Sequence, residues 1–353
     1  MKLHYTSSHY NKKSRGQLFP LLKAFIKNDS FTDQERMAMY QISEKEVEFV
    51  ENIQDADLCV LTMSWNFYLA TDQYDKAVEY IKESNAAGKQ VWTWMSGDFG
   101  VNLNLEADYL VFRPSGHRSQ LSKHHIGMPA FINDPLQKYF QTNEVQYPLH
   151  SPRPVVGFCG QADATFTKNA KEISIRIRHY LKYAINKTKN LPQPIQSTSR
   201  LRADLLRKLE KAEDISTNFI KRKKYRAGVK ADKGQHETTL EFYNNISDSQ
   251  YTVCVRGGGN FSVRFYETLA MGRIPVFVNT DCLLPLADQI DWKKHCVWVE
   301  VSEKNKIAEK VKAFHQQHTQ ESLFKLMQAN RKLWEENMRI GRFFRRNFKI
   351  KIK

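Results

Sequence analysis

Hydrophobic and polar positions along the first 150 residues alternate between two periods. "LFPLLKAFIKN" (18–28) sets apolar residues at helical spacing, and "ADLCVLTM" (56–63) is the continuous apolar run of a strand buried on both faces. "DKAVEYIKESNAAG" (75–88) returns to the helical period and stops at Gly88, placed as a C-cap. "KQVWTWM" (89–95) is the next strand, and "SGDFG" is the turn at its carboxyl end. Strand, helix and strand at this spacing predict a parallel α/β sheet.

The proline-rich "YPLHSPRP" (147–154) breaks both periods and predicts a domain boundary near residue 150. A second series follows. "VVGFCG" (155–160) is a strand, "NAKEISIRIRHYLKYAI" (169–185) a helix, "TTLEFYNNISDS" (238–249) a helix, and "YTVCV", "IPVFV" and "HCVWVEV" are strands. Residues 182–233 hold 15 Lys or Arg against 5 Asp or Glu. They read as a partly helical, exposed excursion, either a solvated charged face or a surface for an acidic ligand. The chain closes in "ESLFKLMQANRKLWEENMRIGRFFRRNF", a helical run, and "KIKIK". The expected organisation is a Rossmann-like domain over 1–150, a second over 151–320, and a C-terminal helix with a basic tail over 321–353. Ligands of such open sheets bind outside the strands' carboxyl ends, in the cleft between the two domains.

Composition narrows the class. An apolar fraction of 41% over 353 residues supports globular domains, and the balance of 54 Lys and Arg against 38 Asp and Glu gives +16. That charge favours polyanionic partners: nucleic acid, an anionic membrane face or an acidic glycan. The basic residues concentrate in one excursion and one tail without a nucleic-acid motif, so no nucleic acid is expected. The longest apolar stretch, Leu58 to Ala70, is interrupted by Asn66 and too short to span a bilayer. Five scattered cysteines make no CxxC pair, and a reducing, cytoplasmic setting fits them. Asp55-Ala56-Asp57 precedes its strand rather than following it, and His124-His125 and His315/His318 lack companion ligands, so no metal is expected.

The chemistry concentrates in "RGGGNFSVRFYETLAMGRIPVFV" (256–278). No Lys-Ser or Lys-Thr follows the glycines, which excludes a P-loop, and Ser262 stands where a dinucleotide fingerprint needs its last glycine. What remains is a strand, a glycine turn, and a short helix with Ser262 as N-cap and Gly272 at its end. Such a helix start attracts anions. Arg264 and Glu267 share a face, as an intrahelical ion pair or as diphosphate and ribose contacts; Arg256 on the glycine turn tips the reading towards the second.

Arg256-Gly257, Ser262-x-Arg264-x-x-Glu267, Gly272-x-x-Pro275-Val276 and Pro285 with Trp292 resemble the C-terminal signature of exostosin-type glycosyltransferases. "DADLCVLTMSW", "WTWMSGDFG" and "VVGFCG" followed by "RHYL" resemble earlier pieces of the same family, in order from about residue 55 to 300. The resemblance implies a GT-B-type α/β fold of two Rossmann-like domains, with the acceptor on the first and the sugar nucleotide on the second. It implies inverting, metal-independent transfer from a nucleotide sugar, expected to be a UDP-sugar, with no cofactor besides. Diphosphate contact falls on Arg256 and Arg264 with the Gly257–Gly258 backbone, and ribose contact on Glu267. Gly160 and Arg178 would face the same phosphates at the second domain's first strand–helix turn. Where the family's usual members carry an N-terminal anchor, none is expected here, and Val255 precedes Arg256 where the usual motif is Pro-Arg-Gly.

Asp98 is the candidate base, following a strand end in the position of the family's Asp-aromatic-Gly; the same residues also make an ordinary turn. His117, His4 and His9 are rivals. The expected acceptor is an oligosaccharide, polysaccharide or lipid-linked glycan of the cell surface. The tail interleaves Arg and Lys with Phe and Ile, which suits either an anionic membrane face or a terminal helix packed across the domains. A GDP-fucose-type fucosyltransferase, or a basic nucleic-acid- or glycan-binding protein without catalysis, are the alternatives.

Overall fold

The computed structural model describes residues 1–26, 31–223 and 237–351. Two all-parallel sheets carry the fold. The first contains β1 (Lys2–His4), β2 (Glu48–Phe49), β3 (Leu58–Val60), β4 (Val91–Trp94), β5 (Tyr109–Arg113) and β6 (His125–Gly127), in the order β2-β1-β3-β4-β5-β6. Helices α1 (Lys23–Ile26), α2 (Asp33–Tyr40), α3 (Trp65–Ala70) and α4 (Tyr74–Ala86) flank it. β3, β4 and β5 are buried at every residue; β3 and β4 accordingly read as strands in the sequence, whereas β5, ending in Arg113, was not singled out. Gly88 takes φ +71°, the left-handed conformation that ends α4.

The second sheet runs β11-β10-β9-β7-β8. Its elements in chain order are β7 (Val155–Gln161), α5 (Phe166–Ala184), α6 (Thr198–Glu210), β8 (Ser216–Arg222), α7 (Glu237–Ser247), β9 (Tyr251–Cys254), α8 (Val263–Ala270), β10 (Ile274–Asn279) and β11 (Val297–Glu300). Then come α9 (Ile307–Gln316), α10 (Gln320–Asn337) and α11 (Ile340–Lys351). Two parallel α/β sheets with flanking helices are the architecture the sequence predicts.

Several details depart from the sequence reading. The charged excursion is built into the fold as far as it is described. α6 buries Leu201, Leu205, Leu206 and Leu209, and β8 pairs with β7 along seven residues. Part of the excursion's basic "KRKKYRAG" and the last residues of "KIKIK" lie outside the described residues. Just before the prolines, Leu136 is buried with Tyr243 and Ile246 of α7 and with Met271 after α8, and Tyr139 stacks on Tyr243 at 4.7 Å. The run 321–348 is two helices, broken at Met338–Arg339. Phe343 and Phe344 of the tail are fully buried against Phe112, and Phe344 also packs on Phe19 and Trp92. These aromatic groups therefore hold α11 on the first domain and are not presented to a membrane.

One hydrophobic cluster joins the first sheet to Phe265, Leu269, Trp292 and Trp334 of the second half. A buried ion pair reinforces it: Arg331 of α10 holds Asp134 with both terminal nitrogens, at 3.0 and 2.6 Å. Among the described residues no helix is long and apolar enough to cross a membrane.

Candidate functional site

The carboxyl ends of the two sheets meet. After β9 the chain turns through Arg256–Asn260 before α8 begins; after β4 and β5 it passes through Asp98 and through Ser115–His117. Asn260 is fully buried and ties these loops together. Its backbone N–H donates to Ser115 Oγ at 2.9 Å, and its side-chain amide nitrogen lies within hydrogen-bond reach of the carbonyls of Gly116, Thr280 and Asp281. Ser115 Oγ in turn donates to the carbonyl of Asp98 at 2.8 Å.

The glycines permit this closeness. A Cβ at Gly259 would lie 2.7 Å from Ser115 Oγ and 2.8 Å from Asp98 Cα; one at Gly258 would lie 2.6 Å from Asp98 Oδ2. At Gly257 the nearest atom would be Arg202 Nη2, at 3.8 Å. None of the three has positive φ, so the turn needs them for close approach rather than for backbone geometry.

Positive charge gathers around the turn. Arg256 is 5% exposed, donates to Gln193 Oε1 and to the Gly258 carbonyl, and lies 3.5 Å from His117 Nε2. Burial, and then the neighbouring Arg176, bring its guanidinium down to about 10, so it stays charged at neutral pH. Arg176 of α5 donates to the Gly258 carbonyl at 3.3 Å. Arg202 of α6 holds the Arg256 carbonyl at 2.9 Å and that of Gln161 at 3.0 Å. The Asp98 carboxylate lies in the field of Arg176 and Arg256. Arg176 Nη1 and Arg256 Nε are buried without a hydrogen-bond partner among the described residues. Like charges gathered this closely, with donors unspent, suit an anion.

Arg264 is placed differently from a direct phosphate fork. Its side chain reaches back to the carboxyl ends of β7 and β9, donating to the carbonyls of Cys159 at 2.8 Å and Val253 at 3.4 Å, and it stacks on Phe158 at 4.3 Å. Gly160 makes room for it, since a Cβ there would lie 2.6 Å from Arg264 Nη2. Glu267, on the same helix, accepts from Tyr243 Oη at 3.2 Å. Ser262 occupies the N-cap position of α8 without a side-chain cap bond.

Arg178 does not join the cluster. It is exposed, in the fourth turn of α5, while Arg176 points at the glycine turn; residues two apart on a helix do not share a face, so only one of them can. Of the rival bases, His4 and His9 are hydrogen-bonded to Tyr80 and Tyr68 within the first domain. His117 is within reach of Asn260 at 3.2 Å and Gln193 at 3.4 Å, and burial, then Arg256, lower its pKa. It is a neutral joint between the loops.

Arg176, Arg202, Gln193 and Asn260 were not legible as site residues. Asn260 carried a signal in its place directly after three glycines. Among the described residues no group of three His, Cys, Asp or Glu is gathered closely enough to hold a metal ion.

Comparison with known proteins adds a family. The curated Probable glucuronosyltransferase 47 A of Physcomitrium patens is 35% identical over 66 residues, 19% of this chain and only 14% of the relative's length. Among solved structures, TarM aligns over 83% of this chain and 54% of its own at 9% identity and TM-score 0.38. A point mutant of TarM from S. aureus, in complex with fondaparinux, alpha-GlcNAc-glycerol and UDP, aligns over 79% and 52% at 10% identity and TM-score 0.35. The model of the Exostosin GT47 domain matches residues 137–314, just over half of the chain and the whole stretch that carries Arg176, Arg202, Arg256, Arg264 and Glu267. The chain belongs to the exostosin GT47 family of glycosyltransferases.

Proposed function

We propose that this chain is an inverting glycosyltransferase that moves a sugar from a nucleotide sugar, a UDP-sugar, to a surface glycan or glycolipid acceptor. The observation that carries it is the meeting of Asp98 with Arg176, Arg202 and Arg256 around one glycine turn, at the carboxyl ends of both sheets. The plant relative's name, a sugar transferase, supports the same chemistry.

In this reading the second domain holds the donor. The charge that develops on the departing diphosphate falls on Arg176 and Arg256, which supply fixed countercharge without a bound metal. Arg264 acts one step removed, fixing the ends of β7 and β9, and Glu267 meets the ribose. The first domain presents the acceptor beside Asp98. The acceptor hydroxyl gives its proton to the Asp98 carboxylate as its oxygen attacks the anomeric carbon. The bond from that carbon to the β-phosphate oxygen breaks, and the nucleoside diphosphate leaves with the electron pair. Attack opposite to the leaving group inverts the anomeric configuration. The enzyme would work from the inner face of the membrane that carries its acceptor.

Thermal-shift measurements with UDP, GDP, ADP and a short DNA duplex test the reading. Stabilisation by UDP above the others is expected. Stabilisation by GDP in its place would move the donor to the GDP-fucose type, and stabilisation by DNA alone, with steep salt dependence, would sink the transferase reading.

A further inference from the structure

Helix α5 is turned inside out. Its inward side is polar: Asn169 is buried, and Glu172 accepts from the hydroxyls of Ser197 and Ser199 at 2.8 and 2.7 Å. On the same side Arg176 reaches Gly258, and the His179 ring lies 5.9 Å from Phe99. Steps of three and four residues from Phe166 mark the other side: Ala170, Ile173, Ile177, Leu181 and Ala184, with Tyr180 at the edge. Phe166 is 83% exposed, Ile177 42%, Tyr180 50% and Leu181 57%. A helix at the surface of a globular domain turns such a stripe to the core. Here its members other than half-buried Ile173 are exposed, along a helix of 19 residues, roughly 28 Å.

The charges beside the stripe say what covers it. Lys171, Arg178 and Lys182 form an exposed row along one flank, and exposed Lys187 and Lys189 follow the helix. The one acidic residue of α5, Glu172, is spent on the inward side. An apolar stripe flanked by cations and without outward-facing acids matches the boundary between headgroups and acyl chains of an anionic bilayer. A second copy of the helix would offer the same stripe but would bring basic rows together uncompensated.

We propose that α5 is a lipid-docking helix, its stripe from Phe166 to Leu181 immersed in an anionic membrane surface and its Lys171, Arg178 and Lys182 row on the headgroup phosphates. Because Arg176 and His179 lie on its inward side, docking brings the loops around Gly258 and Phe99 close behind the lipid surface. A lipid-linked acceptor would be presented there. The docking itself is independent of the donor assigned above.

Flotation of the full chain with vesicles tests it. The protein should float with phosphatidylcholine vesicles that contain phosphatidylglycerol and not with phosphatidylcholine alone. The double variant Ile177→Glu, Leu181→Glu should lower that binding by at least about tenfold, since each change removes an apolar side chain from the lipid. Its melting curve should match wild type, because both side chains are exposed. Leu149→Glu, at an apolar residue 83% exposed elsewhere, should bind as wild type. The inference is overturned if wild type ignores anionic vesicles or if the double variant floats unchanged. It is equally overturned if light scattering shows a dimer that the double variant dissolves while no lipid binding is seen. UDP binding, measured on the same samples, keeps the two readings apart: its loss in wild type would strike the proposed transfer and leave lipid docking standing.

Discussion

Three consecutive glycines should respond to alanine in three different ways. At Gly257 the new methyl would meet only Arg202 Nη2, at 3.8 Å, an ordinary contact. Gly257→Ala should change stability by no more than about 0.5 kcal/mol. At Gly258 it would meet Asp98 Oδ2 at 2.6 Å, the end of a side chain that can swing aside. Gly258→Ala should therefore fold normally and lose transferase activity, because the displaced carboxylate is the proposed base. At Gly259 the obstacles include backbone, Asp98 Cα at 2.8 Å and its carbonyl oxygen at 2.9 Å, together with Ser115 Oγ at 2.7 Å. The loops must part, which breaks the bonds from Asn260 N to Ser115 Oγ and from Ser115 Oγ to Asp98 O. Two neutral hydrogen bonds at about 1 kcal/mol each put the cost near 2 kcal/mol. In a chain of this size that is a fall in melting temperature of about 3 °C. Scanning calorimetry of the three variants, with activity measured in parallel, reads the whole series. Equal melting temperatures for Gly257→Ala and Gly259→Ala would refute the account of why these glycines are there.

Other expectations follow from single contacts. Asp98→Asn should lower turnover by about a hundredfold or more while UDP affinity holds, as read by initial rates and calorimetric titration; an unchanged rate would transfer the role of base elsewhere. Asp134→Ala leaves Arg331 buried without its bidentate carboxylate, although Glu335 and the Ala270 carbonyl remain, so a loss of about 3 kcal/mol is expected in denaturant titration. Burial, and then Arg113, hold His125 at about 3 rather than 6.5, with its Nε2 accepting from Leu103 N at 3.1 Å. The native state favours the neutral ring, so its contribution is complete above pH 6.5 and is lost as pH falls towards 3. NMR should show His125 still neutral at about pH 5, and a ring titrating near its ordinary value would contradict the burial argument.

Much of the architecture was legible because parallel strands buried on both faces must be written as unbroken apolar runs. β3, β4, β7, β9, β10 and β11 all announce themselves that way. β1 and β8 do not. Lys2–His4 is polar and short, and Ser216–Arg222 is an edge strand in a basic segment, so composition masked the pairing. α5 misled in a subtler way: its period was read correctly, but period alone does not say which side faces the protein. Arg178 came from the likeness of "RHYL" to the family's pattern, whereas the arginine that the fold turns towards Gly258 is Arg176. Arg202 and Gln193 reach the glycine turn from the excursion between α5 and β8, a proximity that only the tertiary fold creates. Phe343 and Phe344 show the converse, since an aromatic and basic tail suggested a surface and supplied core packing instead.

The central claim is that Arg176 and the glycine turn receive the diphosphate of a sugar nucleotide, and calorimetric titration of UDP into three proteins tests it most directly. Wild type should bind. Arg176→Ala should weaken binding at least about tenfold, the worth of one charge-assisted contact to phosphate. Arg178→Ala, two residues along the same helix and facing outward, should stay within about twofold. Equal losses in both variants, or no loss in Arg176→Ala, would contradict the placement of the phosphates at this turn.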